Sequence, residues 1–434
     1  MKIRNLVLVL VILFSITAAA QEKPVQWDLS SCIKYALTNN IQIQKARISL
    51  ESSEVSTKQA KAQLLPNLSA SVSQNASYNP AVSLGTYSGS YGISSSMILF
   101  DGGKTLKTIE EQKLQEEAEK YNIISNEKSI QMSILQTYTK ILYANEAVKV
   151  YEATVKTSEY QFNRGQEMLQ AGSISKADLA QLESQLSSDK YQLVVAQNTL
   201  STARLELKQL LELNSGEEIS ISIPELTNMN ILKPLASLQS IYETALNVMP
   251  EIKTGKLNIQ VSTLETSKAK AGYLPKINLN GSAGTSHNTN STYSFNTQLS
   301  DGFSAGIGVS VSIPILTNRE NKSTLEKARL NEKTVKLTMK NTEKNLLKEI
   351  ESVYQDALSA QSQYMAGSEK VKALETSYSL IEQQYNLGMK NTLELLTEKN
   401  NLLSARQSMM QAKYLSIMDM QILNLYQDFP VEIK

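Results

Sequence analysis

Long, unbroken heptad runs constrain this chain more than any other feature. Between residues 130 and 162, apolar or small side chains fall at Ile130, Ile134, Thr137, Ile141, Ala144, Val148, Tyr151, Val155, Ser158 and Phe162, in alternating steps of four and three. A second run passes without a slip through Leu346, Ile350, Val353, Ala357, Ala360, Tyr364, Gly367, Val371, Leu374, Tyr378, Ile381 and Tyr385. A shorter stripe, from Leu179 through Leu182 and Leu186 to Leu207 and Leu210, is interrupted only by Asp189. A strict seven-residue repeat averages 3.5 residues per turn, so the apolar seam stays on one face only if the helices supercoil left-handedly. The spacing predicts long helices over about 104–171 and 320–387, each on the order of 100 Å at about 1.5 Å per residue, with shorter partners over about 174–213 and 391–427. Periodicity alone favours an ordinary antiparallel hairpin. Extra apolar positions at Leu347, Tyr354, Leu358 and Met365 point instead to helices flanked on both sides, as in a wall.

The chain is also written twice. Gln59-Ala60-Lys61-Ala62-Gln63-Leu64-Leu65-Pro66 overlays Lys268-Ala269-Lys270-Ala271-Gly272-Tyr273-Leu274-Pro275 at a spacing of 209, which also pairs Ala36-Leu37 with Ala245-Leu246 and Ile43 with Ile252. Further on, Tyr138 pairs with Tyr354 and Gly172 with Gly388 at a spacing of 216. The second copy is therefore seven residues longer, and the insertion is expected in the polar run Ser286 to Ser300, because loops tolerate insertion. Each copy, 21–213 and 237–434, reads as a helix, two strands, a long helix and a shorter helix. Residues 214–236 read as a linker in which Ile219, Ile221 and Ile223 alternate over one short strand.

Four strands are expected, at about 67–75, 87–100, 276–285 and 303–315. In the last, every odd position from Phe303 to Ile315 is apolar and every even position before Pro314 is Ser or Gly. Leu68, Ala70 and Val72 alternate with serines, and Ile277, Leu279, Gly281 and Ala283 with Asn278, Asn280, Ser282 and Gly284. A one-sided soluble sheet gives the same alternation, but here the polar side lacks the Lys and Glu that ordinarily solvate such a face. Strand lengths match a tilted membrane crossing, and Tyr87, Tyr91, Tyr293, Phe295 and Phe303 fall where an aromatic girdle would lie. In lipid a sheet must close without edges, and four strands are too few. Two chains would give a filled barrel and three a passable one, so oligomerisation is expected, and transport favours three.

Composition closes off other classes. Lys2 and Arg4, the apolar run Leu6 to Ile16 and the small residues Ala18 to Ala20 read as a signal peptide over 1–20. No later stretch approaches the roughly 20 apolar residues of a membrane-spanning helix. The 43 basic and 42 acidic residues, net +1, leave no footprint for nucleic acid. The single cysteine, Cys32, excludes an intrachain disulfide and is expected to be a small packed side chain. The single histidine, His287, is expected to be a solvated loop residue. No phosphate loop, dinucleotide fingerprint, nucleophile elbow or zinc motif occurs, so neither a cofactor nor an enzymatic activity is expected.

Signal peptide, duplicated strand and long-helix units, the turn Leu99-Phe100-Asp101-Gly102-Gly103 leading into a helix, and paired tip glycines together resemble the TolC-like outer membrane efflux proteins, over essentially the whole mature chain. The resemblance implies an α+β membrane protein: a homotrimer whose twelve strands, four per chain, form one outer-membrane barrel continued through the periplasm by a coiled-coil α-helical barrel. It implies a passive duct embedded in outer-membrane lipid and engaged by a periplasmic adaptor and an inner-membrane efflux pump or ABC exporter, carrying small molecules or, in type I systems, proteins. It places Gly172, Ser173, Ile174, Gly388 and Met389 at hairpin tips that meet the adaptor. Asp178 matches a tip acid to which an aromatic and a basic residue, here Tyr385 and Lys390, latch in the closed state; Lys stands where the best-known members carry Arg. Glu394 matches the first of two luminal acids, and Thr397 replaces the second. The bland alternative is that these are solvated tip residues. A coiled-coil surface adhesin is the second functional reading, distinguished by whether external protease cuts the helices.

Overall fold

A computed structural model describes residues 26–79, 84–214, 216–217, 219–224, 226 and 231–433. The signal peptide expected over 1–20 lies outside them. The first copy comprises α1 (Leu29–Asn39), α2 (Ile41–Ala62), β1 (Asn67–Asn79), β2 (Leu84–Phe100), α3 (Lys104–Gln170) and α4 (Lys176–Leu210). The second comprises α5 (Leu238–Val248), α6 (Pro250–Ala271), β3 (Lys276–Asn288), α7 (Phe295–Asp301), β4 (Ser304–Ser312), α8 (Glu320–Asn386) and α9 (Thr392–Tyr426). Through β3 the second copy starts each element 209 residues after the first, and from α8 onward 216 after it. Both long helices have 67 residues and both return helices 35. No described helix is long and apolar enough to cross a membrane.

The single helix expected at the start of each copy is two helices. In the first copy Asn40 turns extended, with ψ 130°, and its side chain accepts from Gln42 N to cap α2. In the second, Pro250 at the first turn of α6 forces the preceding Met249 out of the helical region, to the same ψ of 130°. Different residues thus impose one break.

Backbone conformation repeats as faithfully. Gly102 and Gly103 take φ of 72° and 79° at the start of α3, and Asn318 and Arg319, 216 residues on, take 46° and 68°. Glu212 and Asp428 follow α4 and α9 with φ of 54° and 63°.

The main core lies at the waist of the long helices. Ile134, Leu135, Tyr138, Ile141 and Leu142 of α3, with Ile350 and Ala357 of α8, pack against α1, α5 and the ends of α4 and α9. Cys32 is fully buried there, and desolvation pushes its thiol up to about 12. The linker contributes an isolated parallel bridge between Trp27 and Ile221, and Tyr138 donates to the Ser222 carbonyl at 2.6 Å.

The four strands form one antiparallel sheet in the order β1-β2-β3-β4, leaving β1 and β4 as edges. Its register puts Leu68, Ala70, Val72, Tyr91, Ile93, Leu279, Ala283, Ile307, Val309 and Val311 on one face, and Ser69, Ser71, Ser94, Ser96, Asn280, Ser282, Ser310 and Gly308 on the other. Among the described residues nothing covers much of the apolar face: Leu68 is 77% exposed, Val72 69% and Ile307 79%. β1 and β3 run to residues 79 and 288, beyond the expected ends. β4 stops at Ser312, short of the expected 315, because Pro314 has no N–H to continue a ladder.

The seven-residue insertion is not a bare loop. It forms α7, capped by Ser294 through Thr297 N, and Thr285 donates to the Leu299 carbonyl at 2.7 Å. This corrects the reading of His287. It lies within β3 at 8% exposure, opposite Gly89, with its ring 4.8 Å from Phe295, 5.6 Å from Tyr87 and 6.0 Å from Tyr91. A Cβ on Gly89 would stand 2.4 Å from the imidazole, so the bare backbone there is what admits the ring.

Candidate functional site: the hairpin tips and the unclosed sheet

Both helical hairpins turn by the same local chemistry. Gly172 and Gly388 adopt φ of 71° and 75°. In the first tip Ser173 N donates to Met168 O at 2.8 Å and Gly172 N to Leu169 O at 3.0 Å. In the second, Met389 N donates to Gln384 O and Gly388 N to Tyr385 O, both at 2.9 Å. This 6→1 and 5→2 pattern is the Schellman motif, and it needs the left-handed residue that glycine supplies.

Each return helix then opens with a capping box. The Ser175 hydroxyl accepts from Asp178 N at 3.1 Å while the Asp178 carboxylate accepts from Ser175 N at 3.1 Å and its hydroxyl at 2.7 Å. Asn391 and Glu394 reproduce the reciprocal pair at 2.9 and 3.1 Å. Asp178 and Glu394 are therefore the same position in the two copies. Carboxylates here satisfy orphan N–H groups and meet the positive end of the helix. Hydrogen bonds from Ser175 hold the Asp178 carboxyl below its usual range, and the Thr392 hydroxyl, from the other hairpin, adds to the effect. Glu394 is lowered chiefly by Lys390.

Within the chain, Lys390 does not reach Asp178. Its ammonium pairs with Glu394 one turn on, both side chains being about a third exposed. The i,i+4 geometry makes this pair local and easy to satisfy. Tyr385 is 2% exposed and its hydroxyl has no hydrogen-bond partner among the described residues. Ser173, Gly172 and Gly388 are exposed, Ile174 is half-buried, and Met389 is 70% exposed. Beside them, Gln161 of α3 donates to the Tyr378 hydroxyl of α8 at 2.7 Å, and that hydroxyl donates to Glu382 at 2.8 Å.

Sequence reasoning passed over Ser175 and Asn391, although Ser-x-x-Asp and Asn-x-x-Glu before a helix spell a capping box. It also gave no role to Lys399, whose ammonium is buried against Asp189 at 2.6 Å. Burial drives Lys399 below its usual basicity, and the Asp189 carboxylate partly offsets that. A lysine on a solvated-looking helix face gives no sequence signal of a buried partner 210 residues away.

A protein-family model described as outer membrane efflux protein matches residues 32–212 and 241–421, one segment in each copy. The chain belongs to the outer membrane efflux protein family. It is 21% identical over 405 residues to the outer membrane efflux protein BepC of Brucella suis biovar 1 (strain 1330), covering 93% of this chain and 86% of that one. It is 22% identical over 390 residues to the toxin and drug export protein A of Aggregatibacter actinomycetemcomitans, covering 89% and 83%. Among solved structures it superposes on the CusC transmembrane channel with a TM-score of 0.80 at 18% identity, covering 96% of each chain.

Family membership makes this an outer-membrane protein with the TolC-like channel fold, serving efflux or secretion.

Proposed function

We propose that three copies close their sheets, β4 of one against β1 of the next, into a twelve-stranded barrel, and that their helices continue it as a hollow periplasmic column. The observation that carries this is the four-stranded antiparallel sheet, with two unpaired edges, one bare apolar face and one uncharged polar face. A lipid-embedded edge would leave its N–H and C=O groups unpaired at a cost of several kcal/mol each. Closure through sister chains removes both edges at once.

The duct is passive, carries no catalytic step, and exports small molecules supplied by an inner-membrane pump through a periplasmic adaptor. Polypeptide export through an ABC exporter is the second reading, favoured by the relative named for both toxin and drug export. In either case the hairpin tips form the periplasmic entrance, where Gly172, Ser173, Ile174, Gly388 and Met389 meet the adaptor. The closed entrance is latched around Asp178. The buried hydroxyl of Tyr385, without a partner among the described residues, supplies a donor for that latch from within the chain, and Lys390 exchanges Glu394 for Asp178 of a neighbouring subunit. Glu394 faces the lumen. With Thr397 one turn further on in place of a second acid, the luminal ring carries fewer negative charges.

Single-channel conductance in planar bilayers tests this reading. The wild-type protein is expected to give a small, stable conductance, and Asp178→Ala a larger one. Absence of any channel overturns the duct, and an Asp178→Ala conductance equal to wild type overturns the latch.

A further inference from the structure

Asp189 is the one polar residue in an apolar stripe, and the entrance chemistry above does not use it. In the structure it is 2% exposed and fully bonded. Its Oδ2 accepts from Lys399 Nζ at 2.6 Å and from the Ser158 hydroxyl, and its Oδ1 accepts from the Gln185 amide at 2.9 Å. Lys399, 5% exposed, also donates to the Ser158 hydroxyl. Gln185 and Asn400 exchange amide hydrogen bonds at 3.2 and 3.3 Å beside them. Three helices meet here: Ser158 is on α3, Asp189 on α4 and Lys399 on α9. The first two belong to one hairpin and the third to the other.

The repeat provides an internal control. At the corresponding points of the second hairpin, 216 residues on, Ser158 becomes Leu374 and Asp189 becomes Ala405, packed with Val371 and Leu402 in an apolar cluster. Apolar packing therefore suffices to hold a hairpin's own two helices together. The buried charges in the first hairpin are what Lys399 from the second hairpin requires. A desolvated ion pair adds little net stability over apolar packing, but losing one partner strands a charge, so the pair specifies an arrangement more than it strengthens one.

Its height matters. Ser158 precedes the tip glycine Gly172 by fourteen residues, which is about 20 Å of helix. Above this level α3 and α9 are joined again, by Gln407 to the Tyr151 hydroxyl and by Lys413 and the Tyr414 hydroxyl to Glu146 at 2.8 and 2.6 Å. Below it the hairpins meet at the Gln161–Tyr378 hydrogen bond and at Thr392 beside Asp178.

We infer that Ser158, Asp189 and Lys399 form the pivot of the entrance: they keep the two hairpins of a chain apposed at and above this level, hold the tips in the closed arrangement, and confine opening to the segment below. They are positioning residues, and the inference rests on the duct reading above.

The test is conductance per channel for the full-length protein, with wild type and Asp178→Ala run in parallel. Asp189→Asn and Lys399→Met are each expected to raise single-channel conductance several-fold. The apolar pair Asp189→Leu with Lys399→Met is expected to return it to the wild-type value, since packing then replaces the bond. A merely structural role would lower the melting temperature of the assembly without changing conductance per channel. Singles that conduct like wild type while Asp178→Ala opens overturn the pivot, as does a double variant as open as the singles. Should the singles fail to assemble, Ser158→Ala removes the hydroxyl's bonds to Asp189 and Lys399 without stranding a charge, and its unchanged conductance overturns the pivot equally. If wild type itself forms no channel, the duct reading fails instead.

Discussion

Asp419 of α9 is 6% exposed, and the charge of Asp356 on α8 acts on it. Desolvation, with the Asp356 charge second, pushes its carboxyl up to about 7 from an ordinary 3.8. A folded-state value above the unfolded one means that the native chain holds a proton the unfolded chain has lost. The resulting stability is complete below about pH 4 and fades as pH rises through 7. Asp419→Asn, which keeps the shape without the charge, is expected to stabilise the protein by about 2 kcal/mol at pH 8.5 and to leave it nearly unchanged at pH 4. Thermal unfolding in detergent at the two pH values checks it, and an equal effect at both would refute it. The opposite sign holds at the tips, where Asp178 is lowered by its capping box. Its contribution is present above its ordinary pKa and is lost in acid. Residue identity alone told these carboxylates apart poorly, because burial sets the sign and a sequence gives burial only through periodicity. His287 went astray for the same reason: a polar run read as loop conceals a strand whose neighbour is Gly89, and the glycine makes the room.

At the scale of elements the repeat carries most of what was legible. A spacing of 209 followed by 216 placed the second copy's helices and strands, and heptads gave the length of α3 and α8 because a continuous seam cannot tolerate a slip. The break at Asn40 and Met249 was not legible as such, since an extended asparagine and a proline achieve it differently. Nor was α7 legible, a short helix inside a polar insertion. Two outcomes follow from the shared geometry. Ser175→Ala removes a cap oxygen, is expected to cost about 1 kcal/mol, and should speed amide exchange at Asp178 N. Unchanged protection would show that the box does not hold this tip. Arg319 stands in the left-handed conformation that Gly103 occupies in the first copy, and its contact with Glu326 is largely exposed. Arg319→Gly is therefore expected to stabilise the fold by about 1 kcal/mol, read by denaturant titration. A loss of stability would mean that the exposed pair outweighs the backbone strain.

For the whole molecule, architecture was more legible than the site. Strand alternation, the uncharged polar face and the four-strand count were legible, because each is a statement about solvent and hydrogen bonds that a sequence can carry. The tip contacts are not of that kind. Lys390 choosing Glu394 over Asp178 within the chain, and Lys399 reaching across to Asp189, depend on how two hairpins are set side by side. The central claim is that one chain supplies only a third of the closed wall. Measuring the number of chains per particle in detergent by native mass spectrometry tests it most directly. Three chains per particle, dissociating only under conditions that also unfold the sheet, is the predicted result. A single folded chain that stays in solution after the detergent is removed would contradict it.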